Sequence, residues 1–200
     1  MLCAWCAPDA LMTIPERCYR CSSVSEQSAV CLKCRKHSPL LCVWVAGLYQ
    51  SAAKDLVYSL KFGRARAAAT VISNLLNETI PALTPGTIVT YIPTASSRVR
   101  LRGYDQARLI AQAFATSRGL RVETLLRRQG QSRQVGATRK LRLQQAAKNY
   151  HTINLTVTKG ADILIIDDIL TTGATLESAA KVLKKAGAKQ LYAAVFAQKQ

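Results

Sequence analysis

Residues 163–176, ILIIDDILTTGATL, limit the fold of this chain more than any other stretch. Ile163, Leu164, Ile165 and Ile166 form a branched apolar run that reads as a buried strand. Beyond a polar turn, Leu176, Ala179, Ala180 and Leu183 recur with the helical period, and Gly187 stands at the helix end. A second apolar run, LYAAVFA, follows at 191–197. A strand, a helix of about a dozen residues and a second strand close as a parallel crossover with the helix lying on the sheet face. The turn itself carries chemistry. Two acids, Asp167 and Asp168, precede Thr171, Thr172, Gly173, Ala174 and Thr175. At the carboxyl end of a parallel strand, the first N–H groups of the helix and three hydroxyls can surround an anion, and glycine lets the backbone approach it. Carboxylates would repel the anion itself. They make sense as acceptors for neighbouring hydroxyls, as on a ribose, or as partners of Mg²⁺, so a sugar phosphate suits both halves of the turn.

The rest of the chain repeats the pattern. A strand is expected at 42–49, then a helix with Ala53, Leu56, Val57 and Leu60 on one face and another with Ala68, Val71, Ile72 and Leu75. A strand at 87–93 leads to a helix marked by Ala107, Ile110, Ala111 and Phe114 and stopped by Gly119. A further run at 122–126 precedes a polar, basic stretch at 127–149 that reads as a long exposed loop. With 49% hydrophobic and 20% charged residues, the chain can bury a core, which excludes a disordered protein. No apolar run reaches the ~18 residues of a membrane span, and the first residues lack a basic leader, so the expected compartment is cytoplasmic.

All seven cysteines lie at or before residue 42, where the composition shifts. A boundary is placed there, giving a zinc-binding segment at 1–42 and an α/β domain at 43–200. Six cysteines form Cys-x-x-Cys pairs at Cys3/Cys6, Cys18/Cys21 and Cys31/Cys34. That spacing suits a metal knuckle in a reducing compartment better than a disulfide framework. Cys18, Cys21, Cys31 and Cys34 are the expected ligands of one structural Zn²⁺. Cys3 and Cys6 are either a remnant of a preceding pair or competitors for that site. Cys42 is expected in the core, and His37 as a solvated loop residue.

The 163–176 string resembles the 5-phosphoribosyl-1-pyrophosphate (PRPP) motif of type I phosphoribosyltransferases. The resemblance implies that Asp167 and Asp168 meet the ribose hydroxyls and that residues 171–175 hold the 5-phosphate, with Mg²⁺ accompanying PRPP. The whole chain resembles the ComF/GntX family of phosphoribosyltransferase-like competence proteins. SLKFGR at 59–64, RGYDQA at 102–107 and QVGATRKLRLQQA at 134–146 carry that likeness, together with the Cys18/Cys21 and Cys31/Cys34 pairs; Tyr104 and Asp105 depart from the family's Phe-Asn, and its double-Arg-Asn is missing before Asn149. The implied fold is a type I phosphoribosyltransferase domain behind a zinc segment.

The net charge of +17 points to anionic partners. Thirteen basic residues fall between Arg98 and Lys148, opposed only by Asp105 and Glu123. Arg98, Arg100 and Arg102 follow a strand end where type I phosphoribosyltransferases place a pyrophosphate-contacting loop, and Arg139, Lys140 and Arg142 sit in the basic stretch. Either set suits pyrophosphate or a nucleic-acid backbone. Tyr91 and Tyr104 stand near the basic turn, as stacking partners or as core-edge residues.

Two functions follow from these readings. In one, the protein binds PRPP and single-stranded DNA during natural transformation, alongside other competence proteins such as a helicase, as the family resemblance implies. In the other, it transfers phosphoribose from PRPP to an acceptor that the residues do not identify, with Asp167 and Asp168 as the catalytic pair.

Overall fold

The computed structural model describes residues 14–128 and 150–199. A five-stranded sheet runs through it in the order β1 (Cys42–Leu48), β7 (Gln190–Gln198), β6 (Asp162–Leu170), β2 (Ile88–Tyr91) and β3 (Arg121–Val122), with every pair parallel. Strands β4 (Leu126–Arg128) and β5 (Tyr150–Thr152) form a separate antiparallel pair. Helices α2 (Ser51–Lys61), α3 (Ala68–Thr79), α5 (Gln106–Arg118) and α7 (Ala174–Lys185) cover the large sheet, and α1 (Leu32–Arg35), α4 (Ser96–Arg102) and α6 (Leu155–Thr158) are short.

Strand alternation splits the core in two. On β6, Leu164 and Ile166 join Ile72, Ala107, Ile110 and Phe114 of α3 and α5 on one face. Ile163 and Ile165 turn to the other face and meet Leu176, Ala179, Ala180 and Leu183 of α7. Burying both faces explains why the β6 run is uniformly apolar rather than alternating. All four expected α7 positions are at most 1% exposed, as are Ala107, Ile110, Ala111 and Phe114 of α5. Gly119 ends α5 with φ +63°.

The knuckle segment shares the second of these cores: Cys18, Val30 and Leu40 pack with Val43, Val195 and α7. Its chain reaches β1 through an antiparallel bridge between Ala29 and Cys42, and the Val30 N–H donates to the Leu41 carbonyl at 2.8 Å. Cys42 is half-buried rather than fully enclosed, and His37 is exposed.

Two differences from the sequence reading bear on function. Asp167 and Asp168 lie inside β6, which continues to Leu170, instead of in a turn beyond it. Ladder bonds to β7 at Asp167, Ile169 and Leu170 extend the strand past the apolar run. Arg127 and Arg128 belong to β4, with Arg127 opposite His151 and Arg128 opposite Tyr150, so these two residues lie in a strand and not in the expected loop. Cys3, Cys6, Arg133, Arg139, Lys140, Arg142 and Lys148 lie outside the described residues.

Candidate functional site

Connections leave β2 toward β3 and β6 toward β7, in opposite directions across the sheet. The carboxyl ends of these neighbouring strands therefore form a switch point, the place where open α/β sheets gather ligands. Three segments meet there.

The first is the end of β6. Asp168 is 5% exposed, and its carboxylate pairs with the Lys61 ammonium at 2.9 Å. Asp167 accepts the Asp168 backbone N–H at 2.8 Å. Burial pushes the Asp167 carboxyl well above the usual carboxylate range, and the neighbouring Asp168 charge pushes the same way; that N–H and Lys61 only partly offset them. A pair of carboxylates answered by one ammonium retains capacity for a divalent cation or for hydroxyl donors, and the oxygen donors fit Mg²⁺. Lys61, from the SLKFGR element, is a site residue that the sequence reading left without a role. Nothing in its spacing places it 107 positions away in sequence beside Asp168.

The second is the turn into α7. Thr171 and Thr172 are exposed, Thr175 is half-buried and Gly173 is buried. Gly173 caps the helix with φ +72°, a left-handed conformation that favours glycine. The Thr172 hydroxyl accepts the Ala174 N–H at 3.4 Å. The structure thus sets the first turn of a twelve-residue helix behind two exposed hydroxyls.

The third is the loop from β2 to α5. The Asp105 carboxylate caps α5, accepting from Ala107 N–H at 3.1 Å and Arg108 N–H at 3.3 Å, and it also accepts the Thr94 N–H at 2.7 Å. Burial raises its pKa, against those bonds. The departure to Asp105 noted in the sequence is therefore a loop-fixing cap. Arg98 and Arg100 are exposed on α4. Arg102 donates to the Lys61 carbonyl at 2.6 Å, pairs with the Gln106 side chain and stands 6.0 Å from the centre of the Phe62 ring. Tyr91 and Tyr104 are core-edge residues, 6% and 7% exposed, and their hydroxyls bond Thr124 and the Leu60 carbonyl. The exposed aromatic beside the arginines is Phe62, at 67%. It lies in a groove of about 710 Å³ with Lys61, Arg64, Arg98, Leu101 and Arg102.

A separate cluster lies in the knuckle. The ligand atoms of Cys18, Cys21, Cys31 and Cys34 all fall within 4.8 Å of one another. Four thiolates bound tetrahedrally at about 2.3 Å stand about 3.8 Å apart, so the set fits a metal such as zinc. Hydrogen bonding, first from the Ser23 hydroxyl, brings the Cys21 thiol down to about 6, whereas desolvation and then the adjacent cysteines push Cys34 up to about 12. Crowded thiols resist ionising together, and a bound cation relieves that resistance. The knuckle also touches the turn. The Tyr19 hydroxyl bonds the Glu177 carboxylate, Arg20 pairs with Glu177 at 2.5 Å, and burial raises the Tyr19 pKa.

Residues 110–200, which hold β6, α7 and β7, match the phosphoribosyl transferase domain family. Along nearly its whole length the chain is similar to the competence protein ComFC of Streptococcus pneumoniae, 28% identical over 197 residues that span 95% of this chain and 84% of that one. A ribose-phosphate pyrophosphokinase of Thermococcus kodakarensis is 42% identical over 53 residues, 26% of this chain and 19% of that protein. The glutamine PRPP amidotransferase of B. subtilis superposes with a TM-score of 0.45 at 19% identity, over 65% of this chain and 26% of that one. The chain thus spans well under two thirds of the kinase and of the amidotransferase.

The acid pair yields a stability prediction. A proton on Asp167 is held more tightly in the folded than in the unfolded chain, so its contribution is complete below the unfolded carboxylate pKa of about 3.9 and fades as pH rises through the raised folded value. At neutral pH the carboxylate costs stability. Asp167→Asn should therefore raise ligand-free stability at neutral pH by about 1 kcal/mol, with little difference at the acid end. Urea unfolding of both proteins at acid and neutral pH checks it; a neutral-pH loss of stability in the variant would contradict the electrostatic account.

Proposed function

We propose that this chain binds PRPP with Mg²⁺ at the carboxyl end of β6 and binds single-stranded DNA along its basic surface as a competence-type, DNA-handling protein. The observation that carries the reading is the continuous order of Asp167, Asp168 and the Thr171–Gly173 turn at the switch point. In it, the two carboxylates accept the ribose hydroxyls and residues 171–175 surround the 5-phosphate with N–H and O–H donors. Lys61, which already neutralises Asp168, stands where it can move onto the pyrophosphate, and Arg98 and Arg100 supply further positive charge. Mg²⁺ would supply charge neutralisation between the carboxylates and the pyrophosphate oxygens. Zn²⁺ on Cys18, Cys21, Cys31 and Cys34 holds the knuckle closed.

The DNA half of the reading is supported by the likeness to ComFC and by Phe62, an exposed ring set among Lys61, Arg64 and Arg98. Aromatic faces in basic grooves stack bases without regard to sequence.

Calorimetry with Mg²⁺ and PRPP should show binding in the wild type, and Asp167→Ala plus Asp168→Ala should weaken it by at least about tenfold, since the ribose loses both acceptors. Unchanged affinity in the folded double variant rejects the ribose role. The same titration followed for pyrophosphate release, with a panel of bases and with single-stranded DNA, separates binding from transfer: release with one base favours an enzyme.

Metal analysis of the purified chain should give one zinc, lost in Cys31→Ser plus Cys34→Ser and retained in Cys3→Ser plus Cys6→Ser. The reverse pattern would assign the site to the wrong pairs.

For DNA, log affinity should fall with log salt by about 0.7 per phosphate contact. Arg139→Ala, Lys140→Ala and Arg142→Ala together should flatten that slope by about two units. Lys181, Lys184 and Lys185 make a poor charge control, because they line one groove with Arg20, Arg35 and Lys36. Lys33, Lys54 and Lys199, which line neither this groove nor that of Phe62, serve better. Equal slope loss in both triple variants would reduce the basic stretch to a diffuse field.

A further inference from the structure

The two residues between the first pair of knuckle cysteines reach across to the turn at the other end of the chain. Tyr19 and Arg20 fill the positions between Cys18 and Cys21, inside a tight turn closed by the Ser22 N–H on the Cys18 carbonyl at 2.8 Å and the Cys18 N–H on the Ser23 carbonyl at 2.9 Å. Cys18 itself is fully buried, so the direction in which Tyr19 leaves the knuckle is fixed from both sides.

The Tyr19 ring lies against Gly173. A Cβ on Gly173 would sit 2.8 Å from Tyr19 Cε2 and 3.0 Å from Cδ2, closer than side-chain carbons tolerate. Gly173 is thus required twice, by its φ of +72° and by the ring packed on it. The same tyrosine continues along the helix, where its hydroxyl bonds the Glu177 carboxylate and stands 2.9 Å from the Ser38 hydroxyl. Arg20 reinforces the Glu177 contact. One knuckle turn therefore grips α7 at Gly173 and again at Glu177, one helical turn later. Glu177 is 8% exposed, and its second oxygen, Oε2, is buried with no hydrogen-bond partner among the described residues. A carboxylate so enclosed depends on Tyr19 and Arg20, and withdrawing them leaves a buried charge unpaired at the start of the helix.

We propose that Tyr19 is a positioning residue for the phosphate turn, and that metal loading of the knuckle and phosphate-ester binding at the turn are thermodynamically coupled through it. The inference rests on the reading of residues 171–175 as a phosphate site. A closed knuckle holds the first turn of α7 in the shape that directs its N–H groups outward. An open knuckle releases Tyr19, and the turn frays. Linkage then runs both ways: whatever factor metal loss removes from PRPP affinity, bound PRPP must add to metal retention.

The test uses the full, zinc-loaded chain with Tyr19→Ala and Tyr19→Phe. Hydrogen exchange of the 171–177 amides is measured without ligand, in zinc-loaded protein and after chelation. PRPP affinity is measured by calorimetry, and the rate of zinc removal by a chelator is followed with and without Mg²⁺ and PRPP. Tyr19→Ala should keep its zinc, speed exchange of these amides by about tenfold and weaken PRPP by a similar factor. Tyr19→Phe keeps the ring on Gly173 but loses the bond to Glu177, so it should fall between, and it carries the test if the alanine variant does not fold. In the wild type, PRPP should slow zinc removal; in Tyr19→Ala it should not. Unchanged exchange and PRPP affinity in both variants, or zinc removal indifferent to PRPP in a wild type that binds it, overturns the coupling. If the wild type binds no PRPP, the phosphate reading fails, while exchange at 171–177 with and without zinc still decides whether the knuckle sets the turn.

Discussion

Strand β6 is hydrogen-bonded along both edges, to β2 on one side and β7 on the other, and each of its faces is packed by a different set of helices. β7 shares that length and double pairing, but β6 is the strand that carries the acid pair toward its carboxyl end. A rigid central strand is what allows two adjacent carboxylates to be held at its end against their mutual repulsion. The backbone at Asp167 is still laddered to Val195, so the acids cannot separate by bending the chain. Relief comes instead from Lys61, carried in by the last turn of α2. The arrangement trades stability for a place where charge is concentrated and positioned.

Lys61 also ties the site to its surroundings. Its ammonium meets Asp168 while its carbonyl accepts Arg102, and Arg102 in turn holds Gln106 at the head of α5. One residue thereby joins the end of β6 to the loop after β2, two segments that approach from opposite sides of the switch point. Arg102, grouped in sequence with Arg98 and Arg100, is engaged in this internal chain of bonds.

Periodicity made most of the fold legible. The buried stripes of α2, α5 and α7 and the strands β1, β2, β6 and β7 all follow from where apolar residues recur. Short elements escaped it: α4 buries no residue fully, so SSRVRLR carries no stripe to read. The acid pair and the threonine turn were visible because they are contiguous. Lys61 and Tyr19 were not, since each acts on a partner more than a hundred residues distant, and a local pattern holds no record of such a meeting. The cysteine set was legible for the opposite reason. Its chemistry is written in spacing, and Cys18, Cys21, Cys31 and Cys34 converge as the pairs imply.

The bridge between Ala29 and Cys42 has a meaning beyond anchoring the knuckle. A parallel sheet ends in two edges, and an open edge invites another chain to add a strand. Here one edge is β3, only two residues long. On the other, the knuckle segment bonds to the start of β1, and Ile14, Pro15 and Arg17 wall the groove beside Val43 and Val45. The cysteine segment therefore also works as a hem on the sheet, guarding against self-association the edge strand that lies next to β7.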